Sequence, residues 1–471
     1  PKGGRYAYDL IAQVGIQSFL ECRSLSAIQR DSLPDVPLSS LHDARSKFLF
    51  YLGRLHRQAA PRLREQLRDG AATWLIDGTV EPGSPVFFAV KETTLGVLLG
   101  CWKIPTENVP DVSRCLTQAA AQFGAPARIL HDLSPNLSDA CDQALPGVPH
   151  RVCHYHFLAD LGKALYHDAH QALSRQLRRI DLKYELRTQR KKLTRDLQPQ
   201  PPGDPAVLVL QDLLSGRSCG CVWTDALATE VLLAMHMWML DFPADGQRQG
   251  FPFDPYPLLF HRRVTVAAQA TEQLLAAQAA QQLAFTPLTT FRRKLQGYLQ
   301  DPDTLKAAQA YEEAFGLFDR IRRVLRLSPE PSNPMHAQYA LQPADLTQSA
   351  QDLAQTIAEI GQRQQAGLAP PAKELYATAL KLLQKYHQRL LIPSSAQTAN
   401  GQVPCTTNGI ESDWCASKRA LRTVHGRRNL TRDLLALPPE YILVRNLHLS
   451  LIHISEPTRL LSISYAVFCL K

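Results

Sequence analysis

The chain of 471 residues carries 52 Lys and Arg against 43 Asp and Glu, and 45% of its residues are hydrophobic. This length predicts two to four domains, and the apolar content is that of a globular protein. The net charge of +9 fits a polyanionic partner, although a slightly basic protein without such a partner has the same charge. No uninterrupted apolar run reaches the ~18 residues of a membrane span, so we expect no membrane partner.

The ten cysteines form no compact disulfide framework, and no secretory signal opens the chain. We therefore expect a reducing, intracellular setting. The chain begins at Pro1 rather than Met, from which we expect a fragment whose native N-terminus is missing.

Residues 1–70 are predicted to be helical, with short apolar segments separated by turns. Such helices are compatible with a helix-turn-helix DNA-binding region, which lays its second helix in the major groove. A helical cap on the next domain is an equally good interpretation.

From residue 71 the apolar pattern becomes that of strands. Three successive runs, Trp74–Asp77, Val86–Val90 and Leu95–Trp102, are joined by turn residues and predict an antiparallel meander. A helix follows over Val109–Phe123, where apolar residues recur at three- and four-residue spacing.

A further strand, Arg128–Leu130, leads to Asp132, and Pro135 begins another helix. A last short strand is predicted around Pro149–Cys153. The first part of the domain, residues 71–157, is thus α/β with a mixed central sheet. Its element order resembles the ribonuclease-H-like core.

Residues 158–400 are predicted to form a large all-helical insertion, and the chain returns to the α/β core at 401–449. Three proline-rich loops interrupt the helices, at Pro199–Pro205, Phe251–Pro257 and Pro329–Pro334. The segment 450–471 changes composition suddenly and resembles a translated sequencing adapter, so we expect a non-native tail without function.

One helix of the insertion is strongly basic. Residues spaced four apart share a helix face, which makes the helix a candidate for contacts with DNA phosphates. An ordinary solvated face is the alternative. The basic residues are Arg187, Arg190, Lys191, Lys192 and Arg195.

Three acids have positions suited to a metal site. Asp77 and Asp132 each end an apolar strand, and Glu411 lies in the first turn of a late helix. Carboxylates alone suit Mg²⁺ or Mn²⁺, and two such ions roughly 3.5–4 Å apart can drive phosphodiester chemistry. Each acid has another explanation, since an Asp-Gly pair is common turn chemistry and Glu411 could close a capping box with Asn408.

Basic residues follow Glu411 on the same predicted helix. Lys418 and Arg422 come seven and eleven residues later and share its face, and Arg427 and Arg428 extend the basic surface beyond Gly426. Cations beside a carboxylate suit a metal site that also holds phosphates. A solvated helix face is again the alternative.

Cys153 and His156 have the spacing of half a zinc site. The completing pair would be Cys219 and Cys221, whose spacing is poor for zinc. A buried cysteine and a hydrogen-bonded histidine at a strand-to-helix turn are the simpler explanation.

The three acids, the CxxH motif after the second acid and the segment Thr407–Glu411 together resemble a DDE transposase of the insertion-sequence or Mutator-like type. The resemblance runs from about residue 70 to 445. It departs from the family at Gly409, where relatives often have a second Asn.

The resemblance implies a ribonuclease-H-like core with a helical insertion, acting on DNA with Mg²⁺ or Mn²⁺. It implies that Asp77, Asp132 and Glu411 hold the metals and that Cys153 and His156 shape the site. It also implies a bacterial, nucleoid-associated protein that binds transposon ends and target DNA as a homodimer or higher oligomer. The alternatives are an inactive or domesticated DNA-binding derivative, and a nuclease or resolvase that cleaves without joining.

Overall fold

The computed structural model describes residues 8–67, 72–197, 202–217, 220–242, 249–282, 284–327, 340–391 and 403–449. The predicted tail at 450–471 and the loop Pro329–Pro334 lie outside these residues. The chain divides into two compact units. The sheet unit comprises Pro1–Phe157, Gln338–Gln355 and Gln384–Lys471, and the helical unit comprises Leu158–Ala337 and Thr356–Leu383.

The first part of the chain alternates helices and strands. In chain order its elements are α1 Tyr8–Phe19, α2 Leu25–Ser32, α3 Leu38–Gln66, β1 Thr73–Thr79, β2 Val86–Glu92, β3 Leu98–Ile104, α4 Val109–Phe123, β4 Arg128–His131, α5 Pro135–Ala144, β5 His150–Val152 and α6 His154–Ile180.

Helices dominate the remainder. They are α7 Leu182–Asp196, α8 Asp204–Leu214, α9 Asp225–Leu240, α10 Tyr256–Ala280, α11 Thr286–Leu299, α12 Pro302–Val324, α13 Pro343–Gln365, α14 Pro370–Leu390, α15 Asn408–His425 and α16 Thr431–Ala436, with short strands β6 Ala340–Leu341 and β7 Val403–Pro404 and a closing 3₁₀ helix Pro439–His448.

The sheet has five strands in the order β3-β2-β1-β4-β5. Strands β1, β2 and β3 pair antiparallel, which confirms the predicted meander, and β1–β4 and β4–β5 pair parallel. The mixed α/β class is therefore confirmed. Strand β3 begins at Leu98 and not at the predicted Leu95, because Gly96 takes the left-handed conformation (φ 70°) in the turn before it.

The N-terminal helices belong to the core of the sheet unit. Side chains of α1, α2 and α3, among them Phe19 and Phe48, share one buried cluster with Leu75 of β1 and Trp414 of α15. A second cluster, around Trp74 and Phe88, lies where Val112 and Leu116 of α4 pack. Alternate side chains of a strand point to opposite faces, so Trp74 and Leu75 bury both faces of β1. The packing of α1–α3 matches the helical-cap interpretation, and the helix-turn-helix interpretation remains a prediction.

The helical unit has its own buried cluster, formed by side chains of α6 to α11 such as Leu186, Met235 and Phe291. The prediction of an all-helical segment over 158–400 is wrong at Ala340–Leu341, a two-residue strand that pairs antiparallel with Val403–Pro404. The sheet unit also takes in residues 340–355 and 384–391, so only part of the predicted insertion forms the helical unit.

Among the described residues, no helix combines the length and the apolar composition that crossing a membrane requires.

Candidate functional site

Asp77 lies within β1, opposite Ala89 of β2. The strand runs two residues further, to Thr79, so the prediction that Asp77 ends the strand is wrong by two residues. Its side chain is partly buried. Burial and repulsion from Glu411 and Asp132 raise the pKa of Asp77 to about 8. An ordinary aspartate has a pKa of 3.8, so both burial and the charges of two acids from other segments act on Asp77.

Asp132 comes directly after β4, as predicted. Its Oδ1 accepts a hydrogen bond of 2.7 Å from the backbone N–H of Ser134, which precedes the first residue of α5. This local turn orients the carboxylate at the carboxyl end of a parallel strand. In open α/β sheets, that edge is where ligands bind.

Glu411 lies in the first turn of α15 and is about one-third exposed. Its Oε1 accepts a hydrogen bond from the Thr407 hydroxyl. Thr407 itself is the N-cap, and no side chain caps the helix. The alternative that Glu411 closes a capping box with Asn408 is therefore wrong.

The start of α15 is fastened to the sheet by Lys91 of β2. Its Nζ donates to the Gly409 carbonyl at 3.0 Å and to Asp413 Oδ2 at 2.6 Å. A Cβ added at Gly409 would lie 3.0 Å from Leu75 Cδ1, which is close contact. The glycine at this position therefore coincides with tight packing of α15 on β1.

Cys153 and His156 lie at the junction of β5 and α6. The backbone N–H of Cys153 donates to the His131 carbonyl at 2.7 Å, and its Sγ accepts from the Thr407 N–H at 3.4 Å. His156 Nδ1 is 3.9 Å from Glu411 Oε1. The ligand atoms of Cys153, His156 and Glu411 all lie within 4.8 Å of one another.

His156 is a titratable side chain close to Glu411. Burial lowers its pKa, but the hydrogen bond and charge of Cys153 and the charges of Glu411 and Asp132 outweigh burial and raise it to about 9. This shift favours the imidazolium, whose positive charge would offset part of the negative charge of Glu411. The predicted completing residue Cys219 lies outside the described residues.

Glu107 is a fourth acid that the sequence analysis missed. Burial and the charge of Asp132 raise its pKa, and its own charge raises that of Asp77. A Cβ added at Gly78 would lie 2.7 Å from Glu107 Oε2. Glu107 follows the edge strand β3 just before α4 begins, and only its position at the end of a strand could have marked it.

The basic residues of α15 have an acidic partner. Lys418 Nζ is 3.2 Å and Arg422 Nη2 is 3.5 Å from Glu81 Oε1. Glu81 lies two residues beyond the end of β1, so these cations are held near the end of the strand that carries Asp77. Beyond the helix, Arg427 lies 4.0 Å from Asp433, and the carbonyl of Arg428 accepts from Arg422.

The basic helix α7 belongs to the helical unit. It buries Leu182, Leu186 and Leu193 and therefore turns its charged residues outward. Arg190 is partly buried and pairs with Asp241 at 2.7 Å. The residues left exposed are Arg187, Lys191, Lys192 and Arg195.

The donor set fits Mg²⁺ or Mn²⁺. Hard cations prefer carboxylate oxygens. Burial first, and neighbouring acids second, raise the pKa values of Asp77 and Glu107, and a divalent cation would favour their charged forms. Among the described residues, the ligand atoms of Glu411 group within 4.8 Å with those of Cys153 and His156, and no such group contains Asp77 or Asp132.

No protein-family model matches the chain, and a search of curated proteins finds no significant match. The chemistry of the site must therefore follow from its own side chains.

Proposed function

We propose that this protein is a DDE transposase, which cuts the ends of a mobile element and joins them to target DNA. The observation that carries the proposal is geometric: Asp77 lies on β1, Asp132 directly follows β4, the parallel neighbour of β1, and Lys91 of β2 holds the helix that bears Glu411. Burial and the charges of Glu411 and Asp132, which together raise the pKa of Asp77, support a shared site for the three carboxylates.

The strand order supports a ribonuclease-H-like core. Three antiparallel strands continue into two parallel ones, in the order β3-β2-β1-β4-β5. The resemblance in sequence implies the same core, with Asp77 on the first strand, Asp132 after the fourth and Glu411 on a helix that follows the insertion.

The proposed chemistry assigns Asp77, Asp132 and Glu411 to hold two Mg²⁺ or Mn²⁺ ions. Such ions, when bound, activate a water or a 3′-hydroxyl and stabilise the leaving oxygen of a phosphodiester. The chain's own contribution is positioning. The Thr407 hydroxyl fixes the Glu411 carboxylate, the Ser134 N–H fixes that of Asp132, and Lys91 holds α15 on the sheet.

His156 has a distinct role in this proposal. A protonated imidazole beside Glu411 limits the negative charge that meets an incoming phosphate. Charge-assisted contacts of this kind are stronger than neutral ones. On α7, the exposed basic residues would add affinity for the DNA backbone without reading its sequence.

The test is cleavage and strand transfer with the purified full-length chain, using DNA that carries the ends of its own element. Reactions contain Mg²⁺, Mn²⁺ or EDTA. Asp77→Ala, Asp132→Ala and Glu411→Ala are assayed singly beside Asp35→Ala, a control at an exposed acid of the same unit. We expect each site variant to lose activity by about 10²–10³-fold while still binding DNA, since charge neutralisation drives such reactions.

Cleavage without joining would make the protein a nuclease or resolvase. DNA binding without cleavage in the parent would favour the inactive, domesticated alternative. Full activity in the three alanine variants would refute the catalytic assignment.

A further inference from the structure

A second cluster of metal-ligating side chains lies buried beneath the site. It joins His131 at the end of β4, Cys141 on α5 and His150 on β5, which are 0%, 1% and 7% exposed. One ligand atom from each lies within 4.8 Å of the others. The three side chains come from three elements that the sequence separates, and the proposed DNA chemistry uses none of them.

The outer nitrogen of each imidazole faces an acceptor. His131 Nδ1 lies 2.6 Å from the Asp132 carbonyl oxygen, and His150 Nε2 lies 3.1 Å from Asp142 Oδ1. A carbonyl and a carboxylate can only accept, so each outer nitrogen must carry the ring's proton. A neutral ring has one N–H, and the inner nitrogens are therefore left with lone pairs.

Those two inner nitrogens point at each other. His131 Nε2 and His150 Nδ1 are 2.8 Å apart, a separation that requires something positive between them. Three contacts need three donors, whereas two neutral rings supply two. One extra proton or one metal ion would resolve the mismatch.

We propose that His131, Cys141 and His150 form a binding site for a divalent transition metal, with zinc as the favoured ion. Two imidazoles and a thiolate are ligands that Zn²⁺ takes readily, and carboxylate-preferring Mg²⁺ does not. Cys141 favours a metal ion over an extra proton, because a proton shared between the two rings does not need a sulfur beside them.

The surroundings of the histidines match those of known metal ligands. A ligating histidine almost always donates its other N–H to a carboxylate or a backbone carbonyl, which fixes the tautomer. His131 meets a carbonyl and His150 meets Asp142 in this way. The pair must open by about 0.5 Å, because tetrahedral ligands at ~2.0–2.1 Å from zinc lie about 3.3 Å apart.

When the site binds one metal ion, it releases one proton. The Cys141 thiol loses its proton to solvent and its sulfur bonds to the metal, while the imidazoles bind through existing lone pairs. The centre would tie β4, α5 and β5 together one residue from Asp132. It is independent of the proposed DNA chemistry, because none of its three ligands has a role in that chemistry.

The test measures metal in the full chain, purified without chelators. We expect about one zinc per chain, and replacement by Co²⁺ should give a thiolate-to-cobalt absorption band. Cys141→Ser should abolish the band. Cys115→Ser is the matched control, since Cys115 is equally buried on α4 and lies outside the cluster, and it should keep both metal and band.

A third variant distinguishes the proposed zinc site from the second ligand group, which contains Glu411. Cys153→Ser removes the sulfur from the group containing His156 and Glu411, and we expect it to retain the zinc. Loss of metal in Cys153→Ser but not in Cys141→Ser would overturn the proposal, as would a folded parent that purifies and titrates without transition metal. Should Cys141→Ser fail to fold, His150→Gln serves instead, with circular dichroism as the folding check and the same expected loss of the band.

Discussion

Lys91 on β2 and Asp413 on α15 form an ion pair of 2.6 Å whose side chains are only 16% and 11% exposed. The pair joins the sheet to the helix that carries Glu411. Breaking a buried pair leaves one charge desolvated, which costs far more than breaking an exposed pair. This ion pair therefore holds α15, and with it Glu411, in place on the sheet.

Lys91→Ala should lower the free energy of unfolding by about 3 kcal/mol, the low end for a buried pair, because Arg445 still lies near Asp413. The measurement is chemical denaturation in a double-mutant cycle with Asp413→Ala. The exposed pair Lys47–Asp43, also 2.6 Å apart, is the control, and its coupling should stay below about 1 kcal/mol. Equal coupling in the two cycles would contradict the role given to Lys91.

The stability of the protein should depend on pH through Asp77. Its pKa is about 8 in the folded protein against an ordinary value of 3.8, so the folded state retains a proton that the unfolded state has lost. Stability from this group is therefore greatest below pH 4 and falls as the pH rises toward 8.

Asp77→Asn should abolish this pH-dependent loss of stability. At pH 8 without divalent cations, the variant should be more stable than the parent by on the order of 1–2 kcal/mol after solvent screening. Added Mg²⁺ should raise the melting temperature of the parent more than that of the variant. Thermal melts at pH 5 and 8 measure both effects. Asp35→Asn, at an exposed acid, should change neither, and a parent with flat pH dependence would refute the assignment.

His156 should remain protonated well above neutral pH, because its pKa is raised to about 9 despite burial. Nuclear magnetic resonance of ¹⁵N-labelled histidine measures this directly. Cys153→Ala removes the neighbouring sulfur and should move the midpoint down toward 6.5. Cys405→Ala, at another buried cysteine of the same unit, should leave it unchanged, and a midpoint near 6.5 in the parent would disprove the imidazolium.

Gly78→Ala should disturb the acids directly. The new Cβ would lie 2.7 Å from Glu107 Oε2 and 2.9 Å from Val86 Cγ1. The flexible Glu107 carboxylate must move away, and the stiff, β-branched Val86 must also shift, which we expect to cost about 1–3 kcal/mol. Mg²⁺-dependent activity should fall with stability. Gly297→Ala on α11 meets no atom within 4 Å and should stabilise its helix by about 0.5–1 kcal/mol. Thermal melts and activity assays of the two variants show whether crowding at Gly78 lowers stability and activity.

The exposed residues of α7 should contribute to DNA affinity through charge alone. Replacing Arg187, Lys191 and Arg195 by Gln should reduce the log–log slope of binding against salt by up to about 2.7, because each neutralised phosphate accounts for about 0.9 of that slope. The control replaces three exposed basic residues of the same unit, Lys306, Arg363 and Lys373. Equal slopes for the two triple variants would establish the solvated-face alternative.

Local sequence was enough to find two strand acids and the helix acid. Apolar runs before Asp77 and Asp132 and turn residues after them predict strand ends, and the structure agrees to within two residues. The same local pattern predicted that Lys418 and Arg422 share a face with Glu411. The pattern could not predict that both side chains approach Glu81, which lies in the segment after β1.

The sequence by itself determined the periodicity of the elements, the mixed α/β class and the candidate acids, because these depend on residues only a few positions apart. The tertiary structure alone decided that Glu107 joins the acids and that His131, Cys141 and His150 meet. Those contacts depend on the register of β5 beside β4 and on the packing of α4 and α5. Raised pKa values arise in the same way, since burial and the repulsion between distant carboxylates exist only once the chain has folded.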